Sequence, residues 1–488
     1  MQEKTLPEEV TIESLIAYIR QLEARVAYVE QLEARVACVE QLEVRIAVLE
    51  KENAELKARL EKYEHPKNSR NSSIPPSKDE NRPKKNVSLR EKSDKKSGGQ
   101  PDHEGKTLMM TNTPDIISVH IPDVCECCGK SLEKITGKLA EYRQQLDLPP
   151  IYPVITEHQS FRKVCSCGHE NKGVFPMGVS AGISYGPRIE AIVAYLHTGQ
   201  YLPYERNAEL FNDMLNVPIS EGSIKNLLEK FYEKASVEHE RIHDFIENSE
   251  TVGSDETGAK INGEKGWFWT FQNTSATYII ASFSRGYKTI LEYFKNGFEN
   301  AKYNSDRWGP QLKIWVWLRQ LCTSHLLRDT KYLIERYDSS WAIAFRQLLY
   351  DAQELKTSLK EEEFYTPNLA RSRLLNWLKK LLETEIDPTK KELVTFRKKM
   401  RKHKDCILNF LYYHDLPPDN NGSERSIRNI KVKVKVSGQF KSFRGAQVYA
   451  TIRSIVDTAR KNGMKILPTL SRIANFEKNV LPLTLPVE

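Results

Sequence analysis

Residues 250–284 have the sequence ETVGSDETGAKINGEKGWFWTFQNTSATYIIASFS. In it the dipeptides Asn-Gly and Asn-Thr separate short apolar stretches. Such stretches between turn residues are typical of antiparallel β-strands. The helical segment YKTILEYFKNGF follows. Further strand candidates precede Asp306 and cover IWVWLRQLC, and a long helical stretch comes after them. We therefore predict a mixed α/β (α+β) domain over residues 249–465, with a helical insertion at about 335–413.

A helical region, residues 179–248, is predicted before these strands. Within it, YERNAELFNDMLNVPISEGSIKNLLEKFYEKA has a first helix, a turn at Val217 and Pro218, and a second helix capped by Ser220. The pair is either two packed helices or a helix-turn-helix DNA-binding domain, whose second helix would enter the major groove. At the other end of the chain, residues 466–488 are predicted to be a C-terminal tail.

The N-terminal part contains a tandem ten-residue repeat, QLEARVAYVE, QLEARVACVE and QLEVRIAVLE. Its apolar residues are spaced by four, three and three positions, which is helical spacing with three residues added per heptad. We predict a long helix over residues 11–63 that pairs with a second copy in an overwound left-handed coiled coil, giving a homo-oligomer. Packing within one chain is the alternative. The apolar positions are Leu22, Val26, Val29, Leu32, Val36, Val39, Leu42, Ile46 and Leu49.

Basic residues are concentrated in two segments, although the net charge of the chain is only +8. Residues 64–106 are rich in Lys, Ser, Asn, Pro and Gly and are predicted to be a flexible basic linker. Residues 425–444 hold seven basic residues and no acidic one. Such segments suit DNA, because Lys and Arg displace counterions from phosphates, and a solvated surface is the alternative. The DNA-binding candidates are Arg425, Arg428, Lys431, Lys433, Lys435, Lys441 and Arg444.

The length of 488 residues is too great for one ordinary core and predicts two or more domains. Hydrophobic residues make up 39% and charged residues 28%, which suits a soluble protein. No apolar run approaches membrane-spanning length, and the first residues, MQEKTLPEEV, lack the apolar core of a signal peptide. We therefore expect a cytoplasmic protein with no membrane partner.

Five of the eight cysteines lie in two clusters within residues 107–178. In a cytoplasmic chain such clusters indicate metal ligands before disulfides, and four thiolates would bind one Zn²⁺ tetrahedrally. Free, reduced cysteines are the alternative. The alternating stretches IISVHI and YPVITEH predict short strands in the same module.

Three carboxylates lie in polar, turn-rich surroundings. Asp255 ends a strand-like run in GSDETG, Asp306 lies in YNSDRWG, and Glu424 lies in PPDNNGSERSIRNIK. Aspartates beside Gly and Ser commonly cap or turn the chain. Glu424 has a more specific alternative role, as the last residue of a capping box in which Asn421 is the N-cap.

Taken together, the motifs resemble those of the insertion-sequence-66 family of bacterial transposases, a branch of the DDE enzymes with an RNase H-like core. The motifs are NSSIPPSKD, SDETGAKINGEKGWFW, SDRWG, CTSHLLRD and DNNGSERSIRNIKVKVKVSGQFKSFRGA. The resemblance implies that Asp255, Asp306 and Glu424 form a catalytic triad binding two Mg²⁺ or Mn²⁺ ions. It also implies strand cleavage and strand transfer at insertion-sequence ends in a bacterial cytoplasm, with target DNA and accessory transposition proteins as partners.

The cysteine module resembles the zinc-binding segment of the same family. The ligands implied for structural Zn²⁺ are Cys125, Cys128, Cys165 and Cys167, and Cys127 competes with Cys128.

In CTSHLLRD the family commonly has a Cys-x-x-His pair, here Cys322 and His325. Two ligands do not close a zinc site, so we expect a structural or DNA-contacting role for His325. The rival interpretation of the whole chain is a non-catalytic dimeric DNA-binding regulator or a decayed transposase. The presence of all three carboxylates argues against decay.

Overall fold

The first element of the fold is one long helix. The computed structural model describes residues 12–64, 66–68, 71–72, 79 and 108–483. Helix α1 (Ile12–Glu64) runs without interruption for 53 residues, in agreement with the helix predicted there. Val26, Val36 and Val39 of its apolar stripe are each more than half exposed. The pairing of two copies stays a prediction.

A short polar turn follows α1 and packs against a later part of the chain. Asn71 and Ser72 are buried, and the Asn71 side-chain amide donates to Glu335 Oε2 over 2.8 Å. The Lys67 ammonium lies 5.0 Å from the ring centroid of Tyr332. The flexible linker predicted for residues 64–106 is therefore wrong at its start, because polar side chains there find folded partners. The rest of that linker, apart from Asp79, lies outside the described residues.

The cysteine module contains one small hairpin, formed by β1 (Arg162–Val164) and β2 (Glu170–Lys172). The strands predicted at IISVHI and YPVITEH are wrong, since neither stretch forms a strand. Ile117 and Val154, in these two stretches, are 76% and 91% exposed. Alternating apolar residues form a strand only where a partner strand and a core are available.

Several helical segments precede the main sheet. The Ser220 hydroxyl accepts from the Ser223 N–H and caps the last of them, as predicted. Ile224, Leu228 and Phe231 of that helix are buried, so one of its faces belongs to the core. DNA reading by the helix pair stays a prediction. The segments are α2 (Pro187–Ala194), a π-helical turn (Tyr195–Gly199), α3 (Tyr204–Asp213) and α4 (Glu221–Glu247).

The main sheet has five strands in the order β5-β4-β3-β6-β7. Strands β3, β4 and β5 pair in antiparallel fashion, whereas β6 pairs in parallel with both β3 and β7. Asn262 and Gly263 both have positive φ, 51° and 79°, as the predicted two-residue turn between β3 and β4 requires. The elements are β3 (Thr251–Ile261), β4 (Glu264–Gln272), β5 (Thr277–Ser282), α5 (Tyr287–Tyr293), β6 (Phe298–Ser305), α6 (Gly309–Leu312) and β7 (Val316–Leu321).

Helices follow β7 and form a layer with its own apolar core, in which Trp341, Phe345 and Phe396 pack together. The layer begins at Thr323, before the predicted start of the helical insertion at about 335, and its status as an insertion stays a prediction. Its elements are α7 (Thr323–Tyr337), α8 (Ser340–Ser358), α9 (Leu369–Glu383), α10 (Lys391–Lys402) and 3-10 turns at Glu361–Phe364, Lys404–Cys406 and Asn409–Leu411.

Three helices close the fold: α11 (Asn421–Ser437), α12 (Phe443–Lys461) and α13 (Ile466–Ala474). Helix α12 packs against β5 and α4, and α13 packs against α2. One apolar core therefore joins the helices before the sheet, the sheet itself and the last two helices. The predicted boundary between residues 179–248 and 249–465 does not separate two cores. The predicted tail, residues 466–488, is wrong over α13, where Leu470 and Ile473 are buried.

Within the part of the chain that the structure describes, no helix combines the length and the apolar character that crossing a bilayer requires.

Candidate active site

Asp255 lies on β3, and Asp306 comes directly after β6, the neighbouring parallel strand. Gly253 of β3 pairs with Asn304 of β6, and each aspartate lies two residues further along its strand direction. Because side chains two residues apart share a face of a sheet, both carboxylates are on the same face at the same edge. The structure thus brings together two aspartates that are about fifty residues apart in sequence.

The two carboxyl groups are half-buried, and their removal from water changes their acidity. Desolvation, followed by the charges of Glu256 and Asp306, raises the pKa of Asp255 well above its ordinary value. Desolvation and the charge of Glu256 raise the pKa of Asp306 to about 6, although the N–H of Trp308 donates to this carboxylate over 2.8 Å. Neighbouring carboxylates with raised pKa values are typical of sites that bind cations or protons.

Glu424 lies in the first turn of α11 and interacts with an arginine from the helical layer. Its Oε1 accepts from the Arg328 guanidinium over 2.7 Å, and Arg428 lies 3.9 Å from Oε2. The capping-box alternative is wrong, because the N-cap of α11 is Asn420, not Asn421, and the Asn420 side chain makes no capping hydrogen bond. The charge of Glu424 also contributes to the raised pKa of Asp255, which indicates that the two carboxylates are close.

The start of α11 is fixed against β3 beside Asp255. The Asn420 side-chain amide donates to the Ser254 carbonyl over 2.5 Å, and the Ser423 hydroxyl donates to Asn420 Oδ1 over 2.7 Å. Helix and strand approach so closely that a Cβ at Gly253 would meet Asn420 Oδ1 at 2.5 Å. Glycine at this position therefore allows the helix that carries Glu424 to reach the aspartates.

The three carboxylates are not packed into one tight cluster. Among the described residues, three ligand atoms within 4.8 Å of one another occur at His243, Asp244 and Glu247, and not at Asp255, Asp306 and Glu424. A site for two ions about 4 Å apart spreads its ligands over both ions and does not require such a cluster.

A second, buried acidic group lies next to the aspartates and was missed by the sequence analysis. Glu256 accepts from Arg285 and, over 2.6 Å, from the Gln311 amide. The Arg285 guanidinium also covers the Trp308 ring at 3.8 Å. A second acidic residue directly after Asp255 in the same strand was the available signal. The ion pair fixes a negative charge beside both aspartates, and that charge raises the pKa of each.

Cys322 and His325 lie at the start of α7 and serve its packing. Cys322 is buried, burial raises the pKa of its thiol to about 12, and its sulfur accepts from the Asn420 N–H. Burial lowers the pKa of His325 to about 3, and its Nε2 lies 3.2 Å from the Arg328 guanidinium. Cys322 therefore links the start of α7 to the start of α11, and His325 contacts Arg328 within α7. Arg328 was not predicted, although it belongs to the CTSHLLRD motif.

The basic residues predicted to bind DNA fall into two groups. Lys433 is buried and donates to the Leu202 carbonyl over 3.1 Å, and burial lowers its pKa to about 7. Its predicted contact with DNA is wrong for this fold, because the ammonium points into the protein. Arg444 is exposed at its surface, but it pairs with Glu229 over 2.8 Å. The exposed members are Arg425, Arg428, Lys431, Lys435, Lys441 and Arg444.

Three of the exposed basic residues continue along α11 from Glu424. Arg428, Lys431 and Lys435 are four, seven and eleven residues after it, so they share one face of the helix. This basic stripe begins at the candidate active site and leads away from it.

The two cysteine clusters form similar tight turns. The Cys125 N–H donates to Lys130 O and the Gly129 N–H donates to Cys125 O, both over 2.8 Å. The second turn has the same two bonds but is one residue shorter, with Cys165 bonded to His169 and Gly168 bonded to Cys165.

Hydrogen bonds inside each turn favour the thiolate form of its first cysteine. The backbone N–H groups of Cys128 and Cys127, and the Cys128 side chain, lower the pKa of Cys125. The backbone and side chain of Cys167 do the same for Cys165. Thiolates are the form that binds zinc, so these turns fit the predicted metal. Cys128 rather than Cys127 brings its side chain to Cys125.

Comparison with known families agrees with the motif resemblance. Residues 182–448 match the description "Transposase IS66 family", and this match places the chain among transposases, which bind and modify DNA. Because the match covers more than half of the 488 residues, the chain belongs to the IS66 family of transposases.

Two further matches lie in the N-terminal half. Residues 122–168 match the zinc-finger binding domain of transposase IS66, a range that includes all five clustered cysteines and supports structural zinc. Residues 3–109 match a family of unknown function (DUF6444). No match was found among curated proteins.

Proposed function

We propose that this transposase cleaves DNA at the ends of an insertion sequence and transfers the cut strands to target DNA. Asp255, Asp306 and Glu424 are the proposed catalytic residues, as in a DDE enzyme. The observation that carries this proposal is the position of the three carboxylates: on the central strand β3, directly after the adjacent strand β6, and in the first turn of α11.

The topology supports an RNase H-like core. Three antiparallel strands are followed by a helix and two strands that extend the sheet in parallel beyond β3. This order makes β3 the central strand of the sheet, so that Asp255 lies beside the end of β6. The helical layer between β7 and α11 is then an insertion in that core.

The three carboxylates fit a pair of hard divalent cations. They offer oxygen ligands, which Mg²⁺ and Mn²⁺ prefer, and desolvation together with the charges of its acidic neighbours raises the pKa of Asp255 in the absence of a cation. Bound as a pair, such ions would activate the attacking water or 3′-hydroxyl and stabilise the leaving oxygen of an in-line displacement. Arg328 orients Glu424, and the Glu256–Arg285 pair holds its charge behind the two aspartates.

The remaining parts of the chain have proposed supporting roles. The basic stripe on α11 (Arg428, Lys431 and Lys435) would follow the DNA backbone away from the cut site. Structural zinc would be held by four thiolates and fold a module that has little core of its own. Helix α1 would pair two copies for synapsis of two DNA ends. Accessory transposition proteins and a bacterial cytoplasm complete the proposal. The zinc ligands would be Cys125, Cys128, Cys165 and Cys167.

The test is incubation of the purified protein with labelled element ends and either Mg²⁺ or Mn²⁺. We expect nicked and joined products from the unaltered protein and neither product from Asp255→Asn, while DNA binding by the variant is retained. Binding without cleavage by the unaltered protein, in both metals, would contradict the proposal. That result would favour a non-catalytic dimeric DNA-binding regulator or a decayed transposase.

A further inference from the structure

A cavity of about 830 Å³ opens beside Asp306, between the sheet and the helical layer. Its wall carries six Lys or Arg side chains and three carboxylates. The basic residues come from three distant parts of the chain: the turn after α1, the segments that flank α5 and α6, and α10. They are Lys67, Arg285, Arg307, Lys391, Lys399 and Lys402.

Ion pairs neutralise only part of this positive charge. Arg285 pairs with Glu256, and Arg307 pairs with Asp329. Glu392 is engaged by Arg336 over 3.1 Å. In contrast, Lys391, Lys399 and Lys402 are exposed, and none of them forms an ion pair with the described residues. The cavity therefore has a surplus of positive charge on the α10 side.

Helix α10 presents these lysines on one stripe. Lys391, Thr395, Lys399 and Lys402 line the cavity and are separated by four, four and three residues, which places them along one helix face. The adjoining face is buried through Leu393, Phe396 and Met400, so the packing of the helix fixes the direction of the stripe.

Lys67 reaches the cavity from the turn after α1. Burial lowers the pKa of its ammonium, the charge of Glu392 opposes this effect, and the positive charges of Arg307 and Arg336 add to it. An anion in the cavity would relieve this repulsion. The turn itself is held in place by the bond from Asn71 to Glu335.

The aromatic residues of the wall are not arranged to stack on a base. The Trp308 ring is covered by Arg285 at 3.8 Å, and Phe396 is only 6% exposed. The exposed lysines of α10, in contrast, can bind phosphate groups as point charges. The chemistry of the cavity therefore fits a sugar–phosphate backbone better than an extruded base.

We propose that this cavity binds the phosphate backbone of the DNA strand that passes Asp306, through Lys399 and Lys402 of α10 and Lys67 of the turn after α1. This inference rests on the proposed function, because it assigns the cavity to the DNA that the active site cuts. It gives the helical insertion and the segment after α1 a direct part in holding substrate.

The test compares two double variants of α10. Lys399→Ala with Lys402→Ala removes two cavity lysines, whereas Lys398→Ala with Arg401→Ala removes the same charge from positions that do not line the cavity. Affinity for a fluorescent element-end duplex is measured over a range of salt concentrations without added Mg²⁺ or Mn²⁺, so that no cleavage occurs and the structural zinc is kept. Each lost phosphate contact makes the plot of log K against log salt less steep by about 0.9.

We expect the cavity double variant to flatten this slope by roughly 1.8, Lys67→Ala to flatten it by roughly 0.9, and the control to leave it near the unaltered value. Lys399→Arg with Lys402→Arg should restore the slope, which separates lost charge from misfolding. Equal slopes for the cavity and control variants would overturn the inference. The proposed function is tested separately. Loss of cleavage in Asp255→Asn would support it whether or not the cavity variants change the slope.

Discussion

The carboxyl groups of Asp255 and Asp306 are kept close together in surroundings that disfavour their charges. A site of this kind lowers the stability of the metal-free protein, because the folded chain must hold like charges that the unfolded chain keeps apart. In the proposed function this cost allows cation binding, since the same repulsion would become attraction once a cation lay between the groups.

Asp306→Asn should therefore stabilise the metal-free protein. The pKa of Asp306 is about 6 in the fold against an ordinary 3.8. Because its pKa is raised in the fold, protonation of Asp306 stabilises the folded chain. This stabilisation is complete at pH values below the ordinary pKa and is lost as pH rises through about 6. At about pH 8 without added Mg²⁺ or Mn²⁺, we expect a gain on the order of 1–3 kcal/mol in the free energy of urea unfolding, with the lower values reflecting a carboxyl that is partly open to water. The gain should shrink as pH falls toward 4, and a gain independent of pH would contradict this cause.

Glu424→Gln should abolish cleavage while leaving the fold intact. Gln keeps the shape of the side chain but removes the charge that a hard cation needs, so cleavage should fall by orders of magnitude with DNA binding and thermal stability near those of the unaltered protein. Asp419→Asn is the matched control, because Asp419 accepts locally from Asn421 over 2.7 Å. Near-normal cleavage by Glu424→Gln, with collapse in Asp419→Asn, would move the third ligand to Asp419.

Zinc content should distinguish the two adjacent cysteines of the first cluster. The Cys128 side chain bonds to Cys125, whereas Cys127 contributes only its backbone N–H. We expect Cys127→Ser to retain about one zinc per chain and Cys128→Ser to lose most of it, as measured by elemental analysis. Absence of zinc from the unaltered protein, purified without chelator, would remove the structural role altogether.

The contact between β3 and the start of α11 determines where Glu424 lies. Gly253→Ala should lower stability by about 1–3 kcal/mol, because the added methyl meets backbone-anchored Asn420. Cleavage should fall further than stability predicts, since α11 must move. Gly258→Ala in the same strand is the control: its Cβ would lie at an ordinary 3.6 Å from the Trp267 ring. Urea unfolding in which both variants behave alike would argue against a tight helix–strand contact.

Local sequence patterns correctly predicted helix and strand boundaries where turn or capping residues determine the backbone geometry. The Asn-Gly turn requires positive φ at both residues, and it correctly located the hairpin of β3 and β4. The cap at Ser220 located the start of α4. The predicted strands at IISVHI and YPVITEH failed, because alternation alone does not supply a partner strand.

Contacts between distant residues could not be predicted from local patterns. Lys433 lies in a basic segment typical of DNA binding, yet helix packing turns its ammonium toward the carbonyls after α2. Arg328 and Glu256 were missed for the same reason, since their roles come from partners more than twenty residues away. The position of all three candidate catalytic carboxylates came from the family resemblance rather than from spacing.

The whole molecule combines a core that shares one apolar interior with an α1 helix that buries little by itself. We expect α1 to set the oligomeric state through its apolar stripe. Replacing Val29, Val36 and Val39 with Gln should lower the mass measured by light scattering, while Gln in place of Glu30, Glu40 and Glu50 should not. Gln favours helix, so both variants keep α1 helical. An unchanged mass in the first variant would assign self-association to another surface.

Helix α1 also has a genetic consequence. Its three near-identical units of ten residues correspond to whole codons, so slippage during replication would add or remove a unit without shifting the reading frame. Each unit lengthens the helix by about 15 Å and leaves the downstream domains unchanged. Copies of the gene in related genomes should therefore differ in the length of helix α1 by multiples of about 15 Å.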